Sequence, residues 1–160
     1  MQNLKGKNAV VTGGSKGIGK SVCLALANAG ANIFILDINK EEGLKTVEEI
    51  LKFNVEAYFF SINVADENEW INFITFLEAK SKSIDILVNN AGIWLGKEIN
   101  NVTIEEYQKL ISINLTGVFL GIKHLTPSLK DAGEKTKFGS SVINLSSVAG
   151  LVGSQLDPLY

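Results

Sequence analysis

Three glycines near the start of the chain have a spacing that suits phosphate binding. The segment Thr-Gly-Gly-Ser-Lys-Gly-Ile-Gly covers residues 12–19 and joins an apolar run to a helical pattern that begins near Ile18. Glycine lets the backbone adopt positive φ and approach a ligand, and the first N–H groups of a helix attract anions. The spacing Gly13-x-x-x-Gly17-x-Gly19 matches neither the Gly-x-Gly-x-x-Gly fingerprint nor the Walker loop. We interpret it as a pyrophosphate-binding turn, with a ligand-free connection as the alternative.

Two charged residues bear on which dinucleotide such a turn would bind. Asp37 directly follows the apolar run that ends at Leu36, where a carboxylate accepts hydrogen bonds from ribose hydroxyls and repels a 2′-phosphate. Lys16 favours the opposite preference, because a cation in the turn pairs with that phosphate. The balance predicts NAD as the cofactor and leaves NADP possible. The structural alternatives are a turn-capping role for Asp37 and a solvated side chain for Lys16.

Short apolar runs alternate with longer amphipathic patterns along the chain. The runs predict strands at residues 9–12, 33–36, 57–62, 86–88 and 142–145. Strands that alternate with helices and are apolar on both faces are typical of a parallel sheet covered on both sides. The sequence therefore predicts an α/β fold, a Rossmann-type doubly wound sheet, whose ligand lies beyond the carboxyl ends of the strands.

Helix starts are marked by capping signals in which a side-chain acceptor precedes a glutamate by three residues. They occur at Asn39, Asp66 and Thr103. The third signal opens a helix predicted over residues 104–129. No repeat, low-complexity tract or linker interrupts this order, so residues 1–160 are interpreted as one domain.

Composition narrows the class of protein. The chain has 160 residues, of which 46% are hydrophobic, and a net charge of −2. Its 15 cationic side chains are all lysines interspersed with acids, which disfavours a nucleic-acid or membrane surface. The lone Cys23 excludes an intrachain disulfide and is compatible with a reducing compartment, and no apolar run has the length of a signal sequence or a membrane span, so a cytoplasmic location is expected. His124 is the only histidine and has no cysteine or second histidine at metal-ligand spacing, so no metal site is expected.

Further motifs follow the glycine turn in a recognisable order. Asn89-Asn90-Ala91-Gly92 closes the fourth predicted strand, Asn114 lies inside the long helix, and Ser147 stands thirteen residues before Tyr160. With the glycine turn and Asp37, these motifs make nearly the whole chain resemble the short-chain dehydrogenase/reductase family. The resemblance implies an NAD(P)-binding Rossmann domain that acts on an alcohol or ketone.

The resemblance also implies a set of cofactor-binding residues. They are Gly13, Ser15, Lys16, Gly17, Ile18, Gly19, Asp37, Asn63, Val64, Asn90, Ala91 and Gly92. In this set the glycine turn lines the pyrophosphate, Asp37 holds the adenosine ribose, and Asn63 and Val64 flank the adenine. Asn63 departs from the family, which commonly has an aspartate there, so the charge that accepts from the adenine amino group is missing.

By the same resemblance the catalytic residues are Asn114, Ser147 and Tyr160. A tyrosine can take the hydroxyl proton of an alcohol as hydride leaves, and a serine hydroxyl can hold the substrate oxygen beside it. Asn114 is expected to hold a water at a bend in its helix. A purely structural role for each is the alternative. Trp94, in the loop after Gly92, is a candidate substrate contact, with core packing as its alternative.

The family's catalytic lysine, expected four residues after Tyr160, falls beyond the last residue. We therefore expect residues 1–160 to be the N-terminal part of a longer subunit, or a natural truncation, and to be inactive alone. The predicted reaction is hydride transfer between NAD(H) and a secondary alcohol or ketone. The alternatives are NADPH-dependent reduction of a 3-oxoacyl thioester and an inactive nucleotide-binding module. A homodimer or homotetramer is expected for the full-length protein.

Overall fold

The computed structural model describes residues 4–80 and 82–153. Their strands are β1 (Asn8–Thr12), β2 (Asn32–Asp37), β3 (Ala57–Ser61), β4 (Ile86–Asn89) and β5 (Ser141–Asn144). The strands form one sheet in the order β3-β2-β1-β4-β5, and every neighbouring pair is parallel. Each strand predicted from an apolar run is confirmed, with its ends within one residue of the predicted ones.

Helices connect the strands and cover the sheet on both faces. They are α1 (Gly17–Asn28), α2 (Lys40–Leu51), α3 (Glu67–Ala79), α4 (Ile104–Ile111), α5 (Gly117–Glu134) and α6 (Ala149–Val152). Helices α1 and α2 contribute to one hydrophobic cluster, whereas α3 and α5 contribute to a second one. The predicted doubly wound architecture is thereby confirmed. None of the helices in the described ranges is long and apolar enough to cross a lipid bilayer.

The two clusters explain why the central strands are apolar at successive positions. Val10 belongs to the cluster under α3 and α5, and its neighbour Val11 belongs to the cluster under α1 and α2. Successive residues of a strand point to opposite faces, so each face needs an apolar side chain at every second position. All five residues of β1 are buried. Cys23 is also fully buried, as a small apolar side chain would be.

The predicted single helix over residues 104–129 is wrong in detail. Between α4 and α5 the chain forms a π-helical turn, Ser112–Thr116, and α5 continues to Glu134. A π turn accommodates an extra residue in an otherwise α-helical path and is frequent at functional sites. Asn114 occupies the middle of this turn.

The capping signals form in two different ways. Thr103 and Glu106 form a complete capping box, and the Asn39 side chain accepts a hydrogen bond from the Glu42 N–H. At α3 the Asp66 side chain accepts from the N–H of Asn68. The partner glutamate, Glu69, turns away from Asp66 and accepts from a different backbone N–H, that of Asn63.

Candidate functional site

A cleft of about 590 Å³ lies at the carboxyl ends of β1 to β4. The strand order reverses between β1 and β4, because β2 and β3 lie on one side of β1 and β4 lies on the other. A reversal of this kind leaves a crevice in which ligands of doubly wound sheets bind. The lining residues are Gly13, Lys16, Gly17, Ile18, Gly19, Leu36, Asp37, Ile38, Asn39, Ile62, Asn63, Val64, Asn90, Ala91, Gly92, Ile93 and Ile113. They include every predicted cofactor residue except Ser15.

The glycine turn is folded so tightly that side chains would not fit at two of its positions. Gly13 has φ 63° and Gly17 has φ 57°, both in the left-handed region that favours glycine. A Cβ atom on Gly19 would overlap the carbonyl oxygen of Gly13, and one on Gly13 would lie 3.0 Å from the Ala91 Cα. The turn therefore presents bare backbone to the cleft.

The start of α1 differs from the starts of α2, α3 and α4. Lys16 stands at the N-cap position of α1 and makes no side-chain capping hydrogen bond. Helices α2, α3 and α4 are each capped by a side chain, from Asn39, Asp66 and Thr103 respectively. Uncapped N–H groups at a helix start carry partial positive charge and bind anions. At α1 they adjoin the cleft, because Gly17, Ile18 and Gly19 belong to its lining.

Asp37 connects the end of β2 to the glycine turn. Its Oδ2 accepts a hydrogen bond from the Ser15 N–H at 3.0 Å, and its Oδ1 accepts one from the Asn39 N–H at 3.0 Å. Each carboxylate oxygen has a second lone pair for a ligand hydroxyl. Ser15 is buried, and its hydroxyl donates to the Asn39 carbonyl at 3.3 Å. The structure thus places Ser15 outside the lining of the cleft, where its hydrogen bonds to Asp37 and Asn39 stabilise the glycine turn.

The ends of β1 and β4 are joined by side chains that cross the reversal point. The Thr12 Oγ1 accepts hydrogen bonds from the N–H groups of Asn90 and Ala91, both at 3.0 Å. In return the Asn90 Nδ2 donates to the carbonyl oxygens of Thr12 at 2.9 Å and Gly13 at 3.1 Å. Asn90 therefore lines the cleft and also fixes the conformation of the glycine turn.

Asn114 holds the loop that follows β4. Its Oδ1 accepts from the Ile93 N–H at 2.8 Å, and its Nδ2 donates to the Ile93 carbonyl at 2.9 Å. Both ends of the side-chain amide are thus used to clamp one backbone residue. The π turn aims this side chain at the loop and connects the long helix to the wall of the cleft.

The remaining predicted catalytic residues are positioned less completely. Ser147 follows β5 in the chain, is partly buried, and its Oγ accepts a hydrogen bond from the Ala149 N–H at 3.2 Å. Ser147 and Asn114 do not belong to the lining of the cleft described above. Tyr160 lies outside the described residues, so its predicted role stays a prediction.

Cys23 lies near the glycine turn, and its thiol is buried and poorly reactive. Its thiol is buried against the Gly14 carbonyl oxygen, with 3.9 Å between sulfur and oxygen. Burial raises the pKa of Cys23 to about 12. Because the thiolate is the nucleophilic form, the raised pKa makes Cys23 a poor nucleophile near neutral pH.

Sequence reasoning misses several residues that shape the site. Thr12 is interpreted there only as the end of a strand, yet it joins β1 to β4. Ile38 lines the cleft and is 75% exposed. Its position directly after Asp37 is the sequence feature that could have indicated this. Glu69 and Trp70 contact the loop after β3, and no local motif marks them for that role.

Comparison with known proteins agrees with this geometry. The family model described as short chain dehydrogenase matches residues 7–160. The chain belongs to the short-chain dehydrogenase family. A relative in this family, the cyclopentanol dehydrogenase of Comamonas testosteroni, is 34% identical over 154 residues, which cover 96% of this chain and 60% of that protein. The 3-oxoacyl-[acyl-carrier-protein] reductase FabG of Staphylococcus aureus strain N315 is 38% identical over 149 residues, covering 92% and 58% respectively.

A solved structure in the family has the same fold. It is a crystal structure from Sinorhizobium meliloti 1021, assigned to the short-chain alcohol dehydrogenases, with a TM-score of 0.89 and 30% sequence identity. The similarity covers 99% of this chain and 61% of that one. The chain thus spans about 60% of the length of the family members that it matches.

Proposed function

We propose that this chain is the cofactor-binding part of an oxidoreductase that transfers hydride between NAD(H) and a secondary alcohol or ketone. The observation that carries the proposal is the cleft, which combines a bare glycine turn, an uncapped helix start and the carboxylate of Asp37. The glycine turn and the helix start match the pyrophosphate of a dinucleotide, and the Asp37 carboxylate matches its adenosine ribose. Asn63 and Val64 stand where the adenine would follow, at the end of β3.

NAD is favoured over NADP by two residues at the carboxyl end of β2. The Asp37 carboxylate repels a 2′-phosphate, and the next residue, Ile38, offers an exposed apolar side chain in a position where a cation would be needed. Lys16 is the opposing residue, because it is exposed and lines the same cleft. We give Asp37 the larger effect because it is held rigidly by two backbone N–H groups.

The catalytic groups act on the proton and on the orientation of the substrate. The nicotinamide ring, when bound, supplies or accepts the hydride. Tyr160 exchanges the proton of the substrate hydroxyl, and the Ser147 hydroxyl donates a hydrogen bond to the substrate oxygen. Asn114 acts indirectly, because its side-chain amide holds the backbone of Ile93 in the loop after β4.

An apolar alcohol or ketone is the substrate class that we propose. Trp94 follows β4 and is 64% exposed, and Val148 follows the neighbouring strand β5 and is 68% exposed. Both lie beyond the carboxyl ends of their strands, the edge at which substrates of such sheets bind. A relative named for cyclopentanol, an apolar cyclic alcohol, agrees with this class.

A homodimer or homotetramer is the proposed assembly. Helix α5 buries Leu120 and Leu125. Phe119 in the same helix is 59% exposed, and Leu115 in the preceding π turn is 63% exposed. An amphipathic helix has one apolar face, so a second one indicates a further contact.

NADPH-dependent reduction of a 3-oxoacyl thioester is the second candidate function. It is favoured by Lys16 in the cleft and by the 38% identity with the reductase of Staphylococcus aureus. The two functions differ in the cofactor and in the substrate.

An assay of the natural protein that contains this chain tests the proposal. We expect oxidation of cyclopentanol to produce NADH, and the rate to fall by more than about 100-fold in a Tyr160→Phe variant that lacks the phenolic proton. Exclusive activity with NADPH and an oxoacyl thioester would establish the second candidate. Absence of activity with either pair, despite cofactor binding, would leave a nucleotide-binding module.

A further inference from the structure

The loop that follows β3 forms one wall of the cleft and has little support from the sheet. Asn63 and Val64 line the cleft, and β3 is the last strand on this side of the described sheet. A loop at a sheet edge is braced by a strand on one side only. Its conformation must therefore be fixed by side chains from elsewhere.

Glu69 provides the first of these braces. Its Oε2 accepts a hydrogen bond from the backbone N–H of Asn63, with 2.6 Å between oxygen and nitrogen. Hydrogen bonds to a carboxylate are shorter and stronger than those between neutral groups. The Asn63 side chain is engaged as well, because its Oδ1 accepts from the Ala65 N–H at 3.1 Å. Asn63 is thus held at its backbone and at its side chain.

Trp70 provides the second brace, on the next residue of the loop. Its indole Nε1 donates to the Val64 carbonyl at 2.9 Å, and the whole side chain is buried. On its other side Val64 packs closely on α5, since a Cβ atom on Gly117 would come within 2.9 Å of the Val64 Cγ2. The Val64 N–H has no hydrogen-bond partner within residues 4–80 and 82–153.

We infer that Glu69 and Trp70 are positioning residues that set the edge of the loop against the adenine base. The inference rests on the proposed binding of a dinucleotide in this cleft. Glu69 fixes Asn63, Trp70 fixes Val64, and the unpaired Val64 N–H is left to meet an acceptor on the base. The fixed carboxylate of Glu69 also restores, beside Asn63, the negative charge that an aspartate at position 63 would carry.

The test is calorimetric titration of the chain with two ligands that differ only in the base. NADH carries adenine, and reduced nicotinamide hypoxanthine dinucleotide carries hypoxanthine, whose six-membered ring has a protonated N1 and a carbonyl group at C6. A loop that contacts the base edge distinguishes them, so we expect the unmodified chain to bind NADH about tenfold more tightly. Equal affinity for the two ligands would contradict the inference.

Substitution of Glu69 should remove this discrimination. We expect Glu69→Ala to weaken NADH binding about tenfold and to bring the two affinities together, because the N–H of Asn63 loses its acceptor. Glu69→Gln keeps a neutral acceptor and should recover most of the discrimination. Glu67→Ala is the matched control, because Glu67 lies on the same helical turn but contacts Lys123 and His124.

Trp70→Phe tests the second brace, since it keeps a buried ring and removes the indole N–H. Its unfolding by urea is measured first, and the titration is made at a temperature at which the variant is folded. We expect the same convergence of the two affinities. An equal loss for both ligands, or no loss, would show that Glu69 and Trp70 only stabilise the fold. If the unmodified chain binds neither ligand, the proposed function itself fails.

Discussion

Within the described residues, the strands β1 and β2 are buried, whereas the edge strand β5 is exposed. All five residues of β1 are buried, Asp37 joins the end of β2 to the turn after β1, and hydrogen bonds between Thr12 and Asn90 join β1 to β4. All four residues of β5 are exposed, and Val142 and Ile143 are 43% and 46% exposed. The proposed cofactor half is thus complete within the described residues, whereas the side that carries Ser147 has little packing around it.

The difference teaches how binding and chemistry are divided along this chain. The cleft is formed mainly by consecutive β–α–β units, in which each strand brings its own loop to the carboxyl edge. Ser147 follows β5, where fewer of the described residues pack around it. We therefore expect cofactor binding to respond most strongly to changes in residues 4–92, which supply most of the lining of the cleft. Changes on the β5 side should have weaker effects on binding and on stability.

The largest expected effect is that of Gly19→Ala. The new methyl group would overlap the Gly13 carbonyl oxygen and approach the Asn90 Nδ2, so the glycine turn must open. We expect NADH affinity to fall by more than about 100-fold, or about 3 kcal/mol, in calorimetric titration. Gly150→Ala is the control, because a Cβ atom there meets open space near β5. Unchanged affinity in Gly19→Ala would remove the glycine turn from the binding site.

A pair of cross-strand neighbours measures the contrast in packing directly. Val88 and Ile143 are aligned across β4 and β5, but Val88 is 1% exposed and Ile143 is 46% exposed. We expect Val88→Ala to lower the free energy of unfolding by about 2 kcal/mol and Ile143→Ala by less than about 1 kcal/mol. Urea denaturation measures both. Equal losses would show that β5 is as well packed as the centre of the sheet.

Removal of the Thr12 hydroxyl tests how much the hydrogen bonds between β1 and β4 contribute to stability and to binding. Thr12→Val keeps the shape and leaves the N–H groups of Asn90 and Ala91 without their acceptor. We expect a loss of about 2 kcal/mol in stability, with weaker NADH binding, and recovery of both in Thr12→Ser. Thr75→Val, at an exposed helical hydroxyl, should change stability by less than about 0.5 kcal/mol. A similar loss at both threonines would contradict a special role for Thr12.

A smaller and more selective effect is expected at Asp37. Asp37→Ser removes the charge that repels a 2′-phosphate and keeps a hydroxyl acceptor near the Ser15 N–H. NADH affinity should fall about tenfold, or about 1.4 kcal/mol, while NADPH affinity rises. Competitive titration with the two cofactors gives the ratio. If the ratio does not change, Asp37 does not select the cofactor.

The smallest effect expected is the reaction of Cys23 with a thiol reagent. Burial raises the pKa of Cys23 to about 12, so at pH 8 only about one thiol in ten thousand is ionised. Labelling should therefore occur only as fast as the chain opens. Ser146→Cys, which places a second thiol at an exposed position after β5, should react at once with one equivalent of reagent. Immediate labelling of Cys23 would show that the α1 side of the sheet is not closed.

Features that depend on local sequence are predictable from it, and features that depend on distant partners are not. The apolar runs predict all five strands, and in β1, β2 and β4 burial on both faces requires those apolar side chains. The glycine spacing and Asp37 predict the cleft because both follow strands directly. The role of Thr12 escapes prediction because its partners are 78 and 79 residues away. The π turn at Asn114 and the turn of Glu69 toward Asn63 likewise depend on contacts that no local pattern records.

Parallel titration of the chain with NADH and NADPH tests the central claim most directly. The cleft, with Asp37 fixed between the Ser15 and Asn39 N–H groups, predicts that both cofactors compete for one site and that NADH binds more tightly. Tighter binding of NADPH would mean that Lys16 outweighs Asp37 and would favour a biosynthetic reductase. Binding of neither cofactor would contradict the assignment of the cleft.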